Sequence, residues 1–257
     1  MKPMIGVALS AGLIASGAAA NAQDYATNSA IDPAWTYELQ LYLWATEVGG
    51  TALGEDFTLG FDQIVDNLNF ALMGRLNAYQ GPWMTWGELS YADLGKDGSS
   101  RFTISPAPDV EFEVKAVADA EVQTTIVSFG GGYKLVGTDT YALYGTFGAR
   151  YLRLQSELKL DVNDRSFKAD SDDDYWDAVV GVAGRAALNE NWFMSYLADV
   201  GAGNSDLTWQ AYVGVGYNFG RQDVVFGYRH MEWDLPDDDL MTEYYQSGPV
   251  LLWNIRF

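Results

Sequence analysis

The sequence contains no cysteine and only one histidine, His230, in 257 residues. Without cysteine the protein cannot form disulfide bonds, cysteine-ligated zinc sites or a catalytic thiolate. Basic residues are also few: 15 stand against 35 acidic residues, and the formal net charge is −20. A chain with this charge and no basic stripe should repel nucleic acid, so nucleic acid is not a predicted partner.

A hydrophobic run long enough for a transmembrane helix is also missing after the N-terminal segment. In that segment Lys2 precedes an apolar stretch at residues 4–15, and Ala20 and Ala22 fit the small-x-small pattern of a signal cleavage site. The stretch is too short for a membrane anchor. We therefore expect a secretory signal at residues 1–22, followed by one domain at residues 23–257 that needs no cofactor.

Apolar residues make up 48% of the sequence and aromatic residues 14%, which is too much for a disordered polyanion. Apolar and polar residues alternate in short stretches that are separated by turn residues, and this recurrence is typical of a transmembrane barrel. We predict an all-β fold, an antiparallel up-and-down transmembrane β-barrel of about ten strands, with eight or twelve as the alternatives. The predicted strands are residues 35–45, 69–79, 83–94, 122–135, 141–154, 175–188, 192–201, 207–219, 224–233 and 249–257.

The connections between these strands alternate in length, as bacterial barrels with short periplasmic turns require. Tight turns are expected at residues 80–82, 136–140, 189–191 and 220–223. Long acidic loops are expected at residues 46–68, 95–121, 155–174 and 234–247, with one short member at 202–206. Residues 57–61 and 110–117 alternate like strands and would extend hairpins above the membrane. Apolar residues at helical spacing predict a short helix at residues 61–68.

Alternation along the last strand separates an apolar face from a polar one. Leu251, Trp253, Ile255 and Phe257 share one face, whereas Arg256 lies on the other. A lipid-facing arginine at mid-membrane costs about 2–4 kcal/mol, so the apolar face should contact lipid. On the lipid-facing sets of all strands the aromatic residues cluster near the strand ends. This predicts two aromatic belts at the membrane interfaces, for which a soluble sandwich has no reason.

The C-terminal strand also indicates the location of the protein. Trp253, Ile255 and Phe257, at alternate positions up to a final aromatic residue, are typical of a strand that outer-membrane assembly machinery recognises. With this ending, the segments Tyr42-Leu43-Trp44-Ala45, Leu207-Thr208-Trp209-Gln210-Ala211, Gly227-Tyr228-Arg229 and Ser247-Gly248-Pro249 resemble a widespread, functionally uncharacterised family of Gram-negative outer-membrane β-barrel proteins. The resemblance covers most of the mature chain. It implies a barrel fold in the cell outer membrane and brings no catalytic residues.

Charged residues of both signs fall on the faces that should line the lumen. They are Glu38, Arg75, Glu88, Lys134, Arg150, Asp177, Arg185, Asp199, Arg229 and Arg256. We expect them to pair, because an unpaired buried charge is costly. A barrel of about ten strands has little more room than its side chains need, which favours a structural polar core. The alternative is a narrow small-solute channel, in which a slight cationic excess would favour anions.

Two further groups of residues are candidates for chemistry. Acidic runs in two outer loops offer carboxylates to divalent cations, although their spacing is not that of a calcium loop, and a solvated loop is the favoured interpretation. These runs are Asp172, Asp173 and Asp174, and Asp237, Asp238 and Asp239. His230, near the outer rim, would be the base of a rim-active hydrolase, but no motif frames it.

The sequence as a whole therefore predicts a non-enzymatic outer-membrane barrel with a structural or surface-interaction role. Its predicted partners are outer-membrane lipid, lipopolysaccharide and the assembly machinery, with divalent cations at the acidic loops as a further candidate.

Overall fold

The computed structural model describes residues 34–52, 54–107, 110–162, 165–236 and 241–257, and describes side chains there except at residues 52, 96–120 and 158–169. The predicted signal sequence and Asp237, Asp238 and Asp239 lie outside the described residues. The strands are β1 Thr36–Trp44, β2 Glu47–Ala52, β3 Glu55–Leu59, β4 Leu68–Gln80, β5 Trp83–Ala107, β6 Val110–Gly137, β7 Tyr141–Val162, β8 Arg165–Ala187, β9 Trp192–Gly203, β10 Leu207–Asn218, β11 Gln222–Asp234 and β12 Met241–Arg256. One helix, α1, spans Phe61–Asn67 within this part of the chain.

Ten of these strands form a closed antiparallel barrel, which confirms the predicted fold class and strand number. The order is β1, then β4 through β12, and the barrel closes where β1 pairs with β12 from Glu38–Arg256 to Trp44–Val250. Along the paired length of the strands, closure removes the free sheet edges that would otherwise expose unpaired backbone groups to hydrocarbon. Among the described residues, no helix is long and apolar enough to cross a membrane.

The two additional strands belong to the first outer connection, where the sequence predicted a loop containing a strand-like segment and a short helix. There β2 pairs with the upper half of β12, and β3 pairs with β2. The chain then forms α1, whose first turn begins after Gly60 with the Ile64 amide donating to the Gly60 carbonyl at 3.0 Å. The short helix predicted at residues 61–68 is thereby observed.

The predicted long loops at residues 95–121 and 155–174 are wrong as loops, because β5 to β8 continue through them. Ladder pairing of β5 with β6 extends to Ala107–Val110, and pairing of β7 with β8 extends to Val162–Arg165. A transmembrane β-strand needs only about 9–11 residues. Residues 95–107 of β5 therefore rise about 40 Å along the strand above the membrane, at about 3.3 Å per residue. The outer extension is the name we give to the four-stranded part of the sheet formed by residues 95–107 of β5, 110–121 of β6, 155–162 of β7 and 165–174 of β8.

The last predicted outer loop, residues 234–247, is also mostly strand. β12 begins at Met241 and pairs with β11 up to Asp234–Glu243. At the opposite end of the barrel the connections are short, as predicted. Two of these turns contain a glycine with positive φ, Gly81 at 57° and Gly220 at 99°, a backbone region that other residues rarely adopt.

Candidate functional site

Alternation along each strand directs apolar side chains outward and charged side chains into the lumen. On the outside, Leu43 is 75% exposed and Phe226 65%, whereas inside Arg150 is fully buried and Asp177 is 2% exposed. The aromatic residues Trp83, at the start of β5, and Trp176, in the middle of the long strand β8, are both exposed. An apolar outer band around a charged interior is typical of an outer-membrane β-barrel, and this chain has that arrangement.

A chain of hydrogen-bonded charges crosses the middle of the lumen and starts at Glu88 on β5. One carboxylate oxygen of Glu88 accepts from Arg75 Nη1 at 3.2 Å, and the other accepts from Arg229 Nη1 on the far strand β11. The Tyr42 hydroxyl donates to the same Glu88 at 2.6 Å. Two guanidinium groups therefore share Glu88, and each oxygen of this buried carboxylate accepts a charge-assisted hydrogen bond.

The chain continues from Arg229 to the opposite wall. Gln210 on β10 accepts from Arg229 Nη2 at 2.7 Å and donates to Asp199 on β9. Asp199 accepts from Arg150 Nη2 at 2.6 Å, and Arg150 Nη1 donates to Thr208 Oγ1 at 2.9 Å. These contacts join β4, β5, β11, β10, β9 and β7, so a continuous series of side-chain hydrogen bonds crosses the lumen from one wall to the other.

A second charged cluster lies at the periplasmic end and is centred on Asp223. The sequence predicted a turn at residues 220–223, but Asp223 belongs to β11 and is fully buried. Its carboxylate pairs with Arg185 at 3.1 Å and with Arg256 at 3.3 Å, and it accepts a hydrogen bond from Asn254. The alternation of β11 could have revealed it, because Asp223 shares its face with Val225 and Arg229.

The remaining predicted lumen residues have other partners. Glu38 accepts from Gln40 at 2.8 Å and from Asn77 at 3.2 Å. Asp177 accepts from the backbone amide of Ser205 at 3.0 Å. Lys134 lies over the Tyr144 ring, with Nζ 5.6 Å from the ring centroid. The structure thus gathers Arg75, Glu88, Arg229, Asp199 and Arg150 into one chain, to which Glu38 is joined through Asn77, and it gathers Arg185 and Arg256 around Asp223. Lys134 and Asp177 contact other residues.

On the outer side of the central charges, aromatic and aliphatic side chains fill the lumen. Trp233 and Leu152 are fully buried there. The whole cluster consists of Tyr42, Trp44, Ile126, Leu152, Tyr175, Met231, Trp233, Leu235, Tyr244 and Val250. The sequence does not reveal this cluster, because its residues lie on the same lumen-facing sides of the strands as the charged residues. Between the central charges and the periplasmic cluster lies a cavity of about 140 Å³, lined among others by Tyr79, Tyr144 and Phe193.

His230 lies on the outer surface of the barrel near the rim. Its Nε2 is 2.9 Å from a carboxylate oxygen of Glu232, and its ring is tilted against Trp209 with 4.7 Å between centroids. Ser247 is its ladder partner on β12, but the Ser247 hydroxyl pairs with the Tyr228 hydroxyl at 3.0 Å. The histidine is therefore held in an aromatic and acidic setting, and the contacts around it do not include an activated nucleophile.

Acidic residues above the membrane differ in their partners. Asp172 is bound by Arg153 through two hydrogen bonds of 2.8 and 2.6 Å, and Ser171 donates to Asp173 at 2.6 Å. The hydrogen bonds from Arg153 hold the pKa of Asp172 below its usual value. Burial and the neighbouring charge of Glu232 raise the pKa of Asp234. In the part of the chain that the structure describes, no group of three or more such side chains has metal-binding geometry.

Replacing Arg153 by glutamine should raise the pKa of Asp172 toward the ordinary value of 3.8. A depressed pKa means that the ion pair contributes stability above the unfolded pKa and loses it as the pH falls through the folded pKa. An NMR titration of the Asp172 carboxyl carbon measures the shift. Gln155→Leu, which removes a weaker 3.5 Å contact to Asp172, is the control and should move the pKa less. An unchanged pKa in Arg153→Gln would contradict the assigned cause.

No family model and no curated protein matches the chain. Solved structures with a similar fold include the translocator domain of autotransporter NalP from Neisseria meningitidis, with a TM-score of 0.43, 11% identity and 87% of this chain and 88% of that chain covered. Ail, the attachment invasion locus protein of Yersinia pestis, has a TM-score of 0.36 at 11% identity, covering 87% and 98%. A Pseudomonas aeruginosa FadL homologue has a TM-score of 0.31 at 11% identity, covering 91% and 92%. Similarity at this level carries no functional argument.

Proposed function

We propose that this protein is a non-conducting, non-enzymatic outer-membrane barrel that displays the outer extension as a surface for interaction outside the cell. The observation that carries the proposal is the outer extension itself, since β5 to β8 continue far beyond the length needed to cross a bilayer. Residues 1–22 would direct export and then be removed, and assembly would use Trp253, Ile255 and Phe257. Lipopolysaccharide and lipid surround the barrel, and divalent cations near the acidic outer residues complete the proposed set of partners.

The outer extension suits an interaction role because its two outermost strands have one unpaired edge each. β4 pairs with β5 only as far as Leu94, and β9 pairs with β8 only from Asp177. Residues 95–107 of β5 and residues 165–174 of β8 therefore have backbone donors and acceptors on one side that the described part of the sheet does not use. Such edges are templates for pairing with another chain.

The closed lumen is supported by the contacts of Glu88 and by the aromatic cluster above it. Arg229 and Arg75 approach Glu88 from different strands, and Trp233 is buried beyond them. A route for solute would have to break these ion pairs and displace the rings. The 140 Å³ cavity lies between the two charged layers and has room for a few water molecules.

We expect the purified protein to give no steady openings when it is reconstituted into planar lipid bilayers. The physical reason is the chain of ion pairs across the lumen, which fills the path that ions would take. Single-channel recording at two salt concentrations measures this, with a general porin as the positive control. Regular openings whose conductance scales with salt would overturn the closed-lumen part of the proposal and favour the channel alternative.

The interaction role has a separate test in cells. A variant that joins residue 97 to residue 119 through a short turn removes the tip of the β5–β6 hairpin at a ladder pair, Asp97 with Asp119. It should still fold, which heat-modifiable gel migration detects, but it should not complement a deletion strain that the intact chain complements. Full complementation by the shortened chain would contradict a role for the outer extension.

A further inference from the structure

The barrel wall has a seam in its upper part between β1 and β4. Ladder pairs join these strands from Thr36–Tyr79 to Leu41–Gly74, and none follows among the described residues. Above that level β1 is paired only with β12, and β4 is paired only with β5. Leu43, which borders the seam, is 75% exposed, more than the other large apolar side chains that the structure describes. The seam therefore begins at the depth of the lipid-facing residues.

Helix α1 leads directly into β4 at this seam. It follows β3, which pairs only with β2, and it ends where Leu68 adopts an extended backbone and begins β4. Helix α1 contacts β5, the neighbour of β4, on one side of the seam and β2, which follows β1 in the chain, on the other. Because α1 contacts strands on both sides of the seam, it is placed to cover the gap between β1 and β4.

The apolar and acidic side chains of α1, with Leu68 directly after it, fall into three adjacent sectors when they are plotted at about 100° per residue, and Gln63 and Asn67 complete the circle on the other side of Ile64. Ile64 is buried and faces the protein. Next to it, Phe61, Val65 and Leu68 form an apolar face, and they are 49%, 48% and 39% exposed. Asp62 and Asp66 occupy the sector beyond and are exposed. A helix with protein, apolar and acidic sectors in this order suits a position in the plane of a membrane interface.

The apolar face of α1 is continuous with the lipid-facing surface of the barrel. Phe70 and Leu72 follow on β4 with 54% and 50% exposure, and Phe70 contacts Tyr91 of the outer aromatic belt with 6.1 Å between ring centroids. Leu43 lies across the seam on β1. This continuity identifies the occupant of the face as hydrocarbon, because the surface it extends is the one that contacts lipid.

We propose that α1 is a membrane-interface helix whose Phe61, Val65 and Leu68 face contacts acyl chains of the outer leaflet and seals the seam between β1 and β4. Its acidic side points to water at the membrane surface. The inference is independent of the closed lumen and of the outer extension, so it can fail while the proposed function stands.

The absence of cysteine from the chain allows a direct test with single spin labels. Val65→Cys, Asp66→Cys and Phe70→Cys are labelled with a nitroxide and reconstituted into phosphatidylcholine nanodiscs. Collision with oxygen, which concentrates in hydrocarbon, and with a water-soluble nickel chelate is then measured by electron paramagnetic resonance. All three positions are exposed. Heat-modifiable gel migration tests whether each labelled variant folds. Phe61→Cys tests the same face if the Val65 variant does not fold.

The label at position 65 should have an oxygen-to-nickel accessibility ratio close to that at position 70 and at least about threefold above that at position 66. Equal ratios at positions 65 and 66 would mean that the apolar face lies in water, and they would overturn the proposal. Low accessibility of position 65 to both reagents would mean that protein covers the face, which would overturn it as well.

Discussion

Replacing Glu88 by glutamine should lower the free energy of unfolding by about 3–5 kcal/mol, the usual cost of breaking a buried ion pair from one side. Glutamine nearly preserves the shape of glutamate but removes the negative charge that Arg75 and Arg229 share. Both guanidinium groups would then remain buried without a carboxylate at the centre of the lumen. Urea unfolding from phospholipid vesicles, followed by tryptophan fluorescence and extrapolated linearly to water, measures the loss.

Two controls make this result specific to the buried charge. Glu190→Gln makes the same change at an exposed turn position and should alter stability by no more than about 0.5 kcal/mol. The double variant Glu88→Gln, Arg229→Gln should lose less unfolding free energy than the sum of the losses in the two single variants, because the two residues contact each other. A loss below about 1 kcal/mol in Glu88→Gln would mean that water solvates the arginines, which would also weaken the closed-lumen proposal.

The division of each strand into a lipid face and a lumen face could be predicted from the sequence because the solvent enforces it. Arg256 and Asn254 cannot face hydrocarbon, so Trp253 and Leu251 must do so, and the same alternation places Arg229 and Glu88 inside. The number of strands follows from the same alternation within the membrane. These features depend on one strand at a time, and a sequence contains that information.

The partners of the lumen charges could not be predicted in this way. Arg150 stands opposite Asp177 in the ladder, yet it pairs with Asp199 on β9 and with Thr208 on β10. The tilt and stagger of barrel strands bring distant positions to one level, and long side chains then choose among several neighbours across the lumen. Partner choice is therefore a property of the closed barrel.

Within the outer extension the sequence predicted a strand only at residues 110–117, which belong to β6, and the rest was missed for a different physical reason. Above the membrane neither face of a strand meets hydrocarbon, so the alternation that marks a transmembrane strand is no longer required. The start of β12 shows the same effect, since the polar residues Thr242 and Glu243 suggested a loop although they belong to the strand. Backbone ladder hydrogen bonds stabilise such segments without a hydrophobic face, and composition alone does not reveal them.

Truncating Trp233 to alanine should also cost about 3–5 kcal/mol of unfolding free energy, since it would leave a cavity in the packed part of the lumen. Trp233 is fully buried. The centroid of its ring lies 5.7 Å from that of Tyr244 and 5.8 Å from the guanidinium carbon of Arg150. Alanine would remove both ring contacts at once. The same urea unfolding in vesicles measures the effect.

Trp233→Phe is the matched control, because it removes the indole nitrogen and keeps an aromatic ring. Nε1 of Trp233 is buried without a hydrogen-bond partner within the described residues, so phenylalanine gives up no hydrogen bond and loses only part of the ring volume. Its cost should be less than half that of Trp233→Ala. Equal losses in the two variants would mean that the indole nitrogen has a bonded partner, such as an ordered water. A negligible loss in Trp233→Ala would mean that water already fills this part of the lumen, and the aromatic cluster could then not act as the block that the closed-lumen proposal requires.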